Sequence, residues 1–326
     1  MKFILLIVLF FVSFNALAQS PISEIMGPFL PGTEPKMPLQ GESEAPKIIE
    51  GTGIRPWNLS EAQRTTFTWV GGLMVPSIAL AQGLINWGWG KNSKKFGIQS
   101  EGWFKMDTYA GGADKTGHLL SHYVQKRFYS WLSSKIGYDE STSNLHGLLA
   151  ASLTGLMIEV GDGFSRYRFC PQDIVSDALG IALAYFVDKH PKLDDLIGLR
   201  WEYWPSQDWM DKRTKSKLDF PSDHSGQKFF LSLKAKGIPP LAENWYTKYL
   251  TLDLGYYVRG YSPNYSTNTK VQYFTYGAGI NLGELAKDFG PKNGLGEVLS
   301  GIFKYWIPPG TVLTGKSEID QAPVKL

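Results

Sequence analysis

The sequence predicts an α+β protein, a mainly α-helical bundle of about four helices followed by a small antiparallel β meander. Two observations carry this. Between residues 59 and 190, long apolar-periodic stretches alternate with capping residues and Pro breaks, and between residues 250 and 282 the period falls to two. A third bounds it: 326 residues with 43% hydrophobic side chains are enough for a substantial core. A net charge of +3 gives no field for nucleic acid, so no nucleic-acid partner is expected. Aromatics reach 14%, with eleven Trp. Such side chains favour places dry on one edge and wet on the other, membrane interfaces included.

Residues 1–18 read as a signal peptide. Lys2 supplies the positive start, Phe3 to Phe14 an apolar run too short to cross a bilayer comfortably, and Ala16-Leu17-Ala18 a small-x-small cleavage site before Gln19. The chain is therefore expected to be exported, to the periplasm or outer membrane. No cysteine lies near the cut, so the usual lipid-attachment signal is not expected to operate. Cys170 is the one cysteine, read as a small buried hydrophobe. Residues 19–58, punctuated by Pro21, Pro28, Pro31, Pro35, Pro38, Pro46 and Pro56, read as a Pro-rich disordered linker.

Residues 59–200 form the expected bundle. Ser60 is an N-cap for a first helix with no charge between Arg64 and Lys91. Trp69 near one end and Trp87 and Trp89 at the other leave residues 65–89 two readings, a buried bundle helix, which is preferred, or a membrane span. The second helix runs from about Ala113 to Ile136. The third runs from about Ser143 to Val160, with Ser141 to Asn144 as capping candidates. The fourth starts at Pro171 and ends near His190-Pro191.

Residues 201–285 read as an aromatic-rich β module. Leu250, Leu252, Leu254, Tyr256 and Val258 alternate with polar residues, and Phe274, Tyr276, Ala278, Ile280 and Leu282 repeat the pattern; Phe229 to Ala235 gives a third strand. A meander packed by its apolar face on the bundle is the simple reading, with self-association through β edges as the alternative. Residues 286–326 read as a short helix and a tail.

The chemistry-bearing residues lie on three helices. Asp114 and His118 stand one turn apart, with Lys115 beside them and His122 a further turn along. Gly147, Ala151, Gly155 and Glu159 form a four-residue stripe that lets another helix approach closely, and Asp162 follows. Asp173 and Asp177 stand one turn apart, with Gly180 and Ala184 continuing that face. If these faces meet, Asp114, Lys115, His118, Glu159, Asp162, Asp173 and Asp177 converge. Unpaired buried charges cost several kcal/mol each, so Lys115, Arg166, Arg168, protons or a metal ion must balance them. Oxygen ligands with one imidazole suit Mg, Mn, Zn or Fe, but the sequence does not fix a cofactor. A charge network that sets helix register is the structural alternative. His146, His190 and His224 read as surface or loop residues.

Asp114-Lys115-Thr116-Gly117-His118, then Glu159-Val160-Gly161-Asp162, then Pro171-Gln172-Asp173 through Asp177 to Gly180, resembles the YfiM-like family of predicted periplasmic proteins and lipoproteins, a domain of unknown function. The resemblance covers about residues 105 to 190, and the Asp223-His224-Ser225-Gly226-Gln227 turn is similar to the tail of longer members. It implies an envelope location and a compact helical domain, with no established activity or cofactor. A looser similarity to VanZ-like membrane proteins lies in the polar helix pattern. Three functions follow: a structural or membrane-associated envelope protein on the periplasmic side; a membrane-surface hydrolase of a lipid, lipid phosphate or cell-wall component; or a small-ligand binder. The expected partner is a membrane or envelope component. In the hydrolase, His118 is base or ligand, the carboxylates are ligands or acid/base groups, and Lys115 and Arg166 are anion contacts.

Overall fold

The computed structural model describes residues 54, 56–91, 95–210, 219–261 and 269–322. The signal peptide, most of the Pro-rich linker and the loop after Tyr261 lie outside the described residues. The protein is α+β, helices first and strands after, with a final helix pair set within the strand region.

Helix α1, Glu61–Gln82, starts on a capping box: Ser60 accepts from the Gln63 amide and the Gln63 side chain accepts from the Ser60 amide. It passes Pro76 and runs into a π-turn over Gly83–Trp87. Helix α2, Ala113–Ile136, is closed by Gly137 at φ 103°, where left-handed backbone favours glycine. Helix α3, Glu140–Gly163, is capped by Asp139, which accepts from the Thr142 amide, and not by the residues from Ser141 onward. Helix α4, Pro171–Lys189, carries Pro at its first position and ends at His190. A short α5, Pro191–Leu196, leads into the sheet.

The small-residue stripes work as close contacts. Gly147, Ala151, Gly155 and Glu159 are all buried. A Cβ at Gly180 would run into the backbone carbonyl of Leu119, so α2 and α4 touch main chain to main chain there. α1 is different. Its buried residues are Phe67, Gly71 and Ala79, while Trp69, Leu73, Ile78, Leu84 and Ile85 along the helix and its π-turn are exposed. The expectation of a buried bundle helix is thus corrected: α1 lies on the outside, and it is long and apolar enough to cross a membrane. A Cβ at Gly71 would run into Leu132 of α2, whereas one at Gly72 would meet open space.

The sheet contains β1 (Ile197–Tyr203), β2 (Gln227–Lys234), β3 (Leu250–Arg259), β4 (Lys270–Ile280), β5 (Trp306–Ile307) and β6 (Val312–Ala322), in the order β5-β1-β2-β3-β4-β6. β1 to β4 are an antiparallel meander, β6 adds antiparallel to β4, and β5 is parallel to β1. The outermost strands β5 and β6 are consecutive in the chain, separated only by residues 308–311. Phe230, Ile307 and Val312 pack together, so the two edges curl towards each other. Helices α6 (Leu282–Phe289) and α7 (Gly294–Tyr305) precede β5. Residues 312–322, expected as tail, are a full strand.

Only part of the apolar strand face meets the helices. Phe229, Tyr256 and Val258 pack on Ala113, Leu120 and Val124 of α2. Leu250, Leu252, Leu254, Phe274, Tyr276 and Ile280 on the same face are exposed. The opposite face carries the buried Arg200, Ser232, Thr251, Asp253 and Thr275.

Candidate functional site

α2, α3 and α4 bring Asp114, Lys115, His118, Glu159, Asp173 and Asp177 into one buried cluster, with Asp162 at its margin. His118 is partly buried and the other members are buried, apart from a half-buried Asp162. Two further residues join it that helical spacing does not reveal. Glu101 comes from the loop before α2, and His224 from a short turn before β2. His224 is buried against the Tyr109 ring, which corrects its reading as a surface residue. His146 is half-buried on Ser133, and His190 is exposed at the end of α4.

Lys115 anchors one side. Its Nζ lies 2.7 Å from Asp114 Oδ2, 2.9 Å from Glu101 Oε2 and 2.9 Å from Asp173 Oδ1. Its Nζ donates to Asp114 and Glu101, while Asp173 Oδ1 is an ion-pair contact that accepts no hydrogen bond. Burial opposes the charge on Lys115, but Asp114, Asp173 and Glu101 outweigh it and raise its pKa. Three carboxylates around Lys115 compete with any anion for its charge. Arg166 stacks on Tyr167 and donates to its hydroxyl, and Arg168 donates to the Lys95 carbonyl.

His118 anchors the other side. Its Nδ1 lies 2.9 Å from Asp177 Oδ1, so that nitrogen carries a proton. Its Nε2 faces Glu159 Oε1 at 4.0 Å. Burial works against a charged ring, yet Asp173 and Asp177 prevail and hold the His118 pKa well above its ordinary value. His122 stacks parallel to His118, with Nδ1 2.7 Å from the same Asp177 oxygen. Burial disfavours the Asp177 charge, but His118 and His122 hold its carboxyl well below the usual range.

Three other carboxyls are pushed upward, first by burial: Glu159 to about 8, Glu101 to about 7 and Asp162 to about 6. Asp162 accepts from the Trp89 indole at 2.7 Å, and Glu159 accepts from the Cys170 amide at 2.9 Å. Burial likewise pushes the Cys170 thiol up, which fits its reading as a small buried hydrophobe. Glu101, Asp114, Glu159, Asp162, Asp173 and Asp177 together outnumber the cations Lys115 and His118, a surplus of acid in a buried place.

Among the described residues, three trios could hold a metal ion, with ligand atoms within 4.8 Å of one another: His118/His122/Asp177, Glu101/Cys170/Asp173 and His118/Glu159/Asp173. In the first, one Asp177 oxygen lies at hydrogen-bond distance from Nδ1 of both rings, while Asp177 Oδ2 and His122 Nε2 are buried without a hydrogen-bond partner. In the second, the Lys115 ammonium stands within 2.9 Å of both carboxylates, where a second cation would meet it, and burial pushes the thiol up. The third has the space. His118 Nε2 and Glu159 Oε1, which face each other across 4.0 Å, could hold one ion together with Asp173 once they close to the ~3.4 Å spacing of a tetrahedral pair. Asp177 then orients His118 from behind, the usual support of a metal-bound imidazole. A polar cavity of about 440 Å³ opens beside the cluster, with Glu101 and Tyr109 on its inner wall and Lys105, Asp107, Arg166 and Tyr167 around it.

Residues 100–189 match the model of a family described as "Predicted periplasmic lipoprotein (DUF2279)". The match takes in every helical member of the cluster and Glu101, and supports an exported chain of the cell envelope. It covers a minority of the chain. No curated protein and no solved structure matches.

Proposed function

We propose that this protein is a hydrolase of the cell envelope whose buried centre holds a divalent cation between His118, Glu159 and Asp173, within a YfiM-like domain. One observation carries the reading: a buried acid surplus in which His118 Nε2 and Glu159 Oε1 face each other across 4.0 Å while Asp177 holds the far nitrogen of the same ring. A cation there supplies a polarised substrate oxygen or an activated water at neutral pH. The chain's own residues do the rest. Asp177 fixes the tautomer and direction of His118. Lys115 holds Asp173 in place and neutralises Asp114. Glu101 lines both cavity and cluster, and the cavity carries charges of both signs, Lys105 and Arg166 beside Asp107 and Glu101, which suits a polar ester.

The test is hydrolysis of chromogenic phosphate and carboxylate esters in Mn²⁺ or Zn²⁺. His118→Ala should lower turnover by at least about 100-fold, in the range expected when a positioned proton-transfer or ligand group is lost. Glu140→Gln, on a surface salt bridge, should leave it unchanged. A second reading, a charge network with no chemistry, is favoured by the three carboxylates gathered around Lys115. Absence of turnover and of bound cation, with His118→Ala and Lys115→Met lowering only stability, would establish that reading instead.

A further inference from the structure

The sheet has its polarity inverted. On one face Ser232 is 0%, Asp253 1%, Thr275 1% and Arg200 3% exposed; on the other Leu252 is 61%, Leu254 51% and Leu313 79% exposed. A sheet with one wet face normally buries its apolar side and shows water its polar side. The opposite arrangement belongs to strands whose outer solvent is hydrocarbon.

We infer that the leucine face of this sheet lies in the hydrocarbon of a lipid bilayer. The polar face needs no water, because Arg200 donates to Ser232, Thr251, Asp253 and the Ile280 carbonyl, and Thr275 donates to the Gly315 carbonyl. The leucine face is continuous in register across four strands, with Leu233, Leu252, Ala278 and Leu313 in one row and Leu231, Leu254 and Tyr276 in the next. No charged residue stands on it between Leu250 and Tyr256 or between Phe274 and Ile280. Exposed aromatics flank it at opposite ends, Trp204 after β1 and Trp245 with Tyr246 before β3, where side chains with one dry and one wet edge settle at a bilayer surface. Exposed apolar side chains continue on α1 and on the leucines of α3. A fluid hydrocarbon covers all of these without matching their shape, whereas a protein partner must match each one. The inference is independent of the cation centre and holds whether or not the chain turns anything over.

The test uses the full chain with Cys170→Ser and a single environment-sensitive fluorophore on Leu252→Cys, on Leu313→Cys, or on Lys192→Cys as an exposed control. Each is mixed with phosphatidylcholine/phosphatidylglycerol vesicles carrying brominated acyl chains. The expected result is flotation with the vesicles, bromolipid quenching at positions 252 and 313, and none at 192. Flotation of the Cys170→Ser chain without label checks that the substitutions have not created the affinity. Labels open to aqueous iodide and untouched by bromolipid would overturn the inference. So would labels shielded from both in a particle of twice the mass, which would assign the face to a second copy.

Discussion

Lys115 is the buried cation at the centre of three carboxylates. Replacing it with Met leaves Asp114, Glu101 and Asp173 without their buried cation, and removing one partner of a buried ion pair costs about 3–5 kcal/mol. Lys115→Met should therefore lower the unfolding free energy by at least that much in a denaturant titration. A change below about 1 kcal/mol would mean the three contacts do not hold the site together. Gly155 makes a finer distinction. A Cβ there would stand 2.6 Å from Asp177 Oδ2 and 2.8 Å from His122 Nε2, both ends of movable side chains. Gly155→Ala should cost only about 1–3 kcal/mol, yet weaken cation binding by disturbing the carboxylate behind His118. Unchanged affinity in a calorimetric titration would detach Asp177 from the centre. At this scale the sequence was legible where helical spacing governs. Asp114 with His118, Asp173 with Asp177, and the stripe ending at Glu159 could be read because 3.6 residues per turn put them on one face. Glu101 and His224 could not, since both come from loops that carry no period. The role of Lys115 was hidden too, since it depends on which partners take its protons.

The joints between elements rest on a second charge network. Arg127 of α2 grips Asp194 of α5 with two donors at 2.7 and 2.9 Å, Lys304 of α7 adds a third contact at 2.6 Å, and Lys234 of β2 donates to the Asp194 carbonyl. Burial opposes the charge on Asp194, but Arg127 and Lys304 outweigh it and hold the carboxyl well below the usual range. A depressed carboxyl contributes stability that is present above its unfolded pKa, near 4, and is lost as pH falls below it. Asp194→Asn should cost about 3 kcal/mol or more at pH 7 and flatten the acid limb of a stability–pH curve; an unaltered acid limb would remove Asp194 from the account. β2, β3 and β4 were legible from their period of two. β1 and β6 were not. β1 does alternate, with Ile197, Leu199, Trp201 and Tyr203 against Gly198, Arg200 and Glu202, but it is short and follows directly on a helix without a turn residue, and Gly315, Lys316, Glu318 and Asp320 give β6 the composition of a tail. Pairing with β2 and β4 overrides both.

Across the sheet, charged and hydroxyl side chains lie buried on one face while leucines are exposed on the other. Alternation in β3 and β4 revealed two faces, but nothing in a period of two says which face is inside. The ordinary assumption of a soluble protein therefore assigned Leu250, Leu252 and Leu254 to the core. If they face lipid, Leu252→Arg should weaken vesicle partitioning by about 2–4 kcal/mol, the cost of an arginine at the bilayer midplane, while leaving the detergent-solubilised chain folded. Unchanged partitioning would contradict that placement. The cation centre lies in a comparable setting, a charged interior beneath helix faces with exposed leucines, and the polar cavity meets the cluster at Glu101.

The most direct test of the central claim is elemental mass spectrometry on the purified full chain beside its His118→Ala and Asp173→Asn variants, with the fold of each checked by circular dichroism. The account predicts one divalent cation per chain, lost in both folded variants, and about 10–100-fold weaker binding in Asp177→Asn, where only the support behind His118 is removed. A folded chain that binds no cation even after dialysis against Mn²⁺ or Zn²⁺, or that keeps its cation in all three variants, would contradict it.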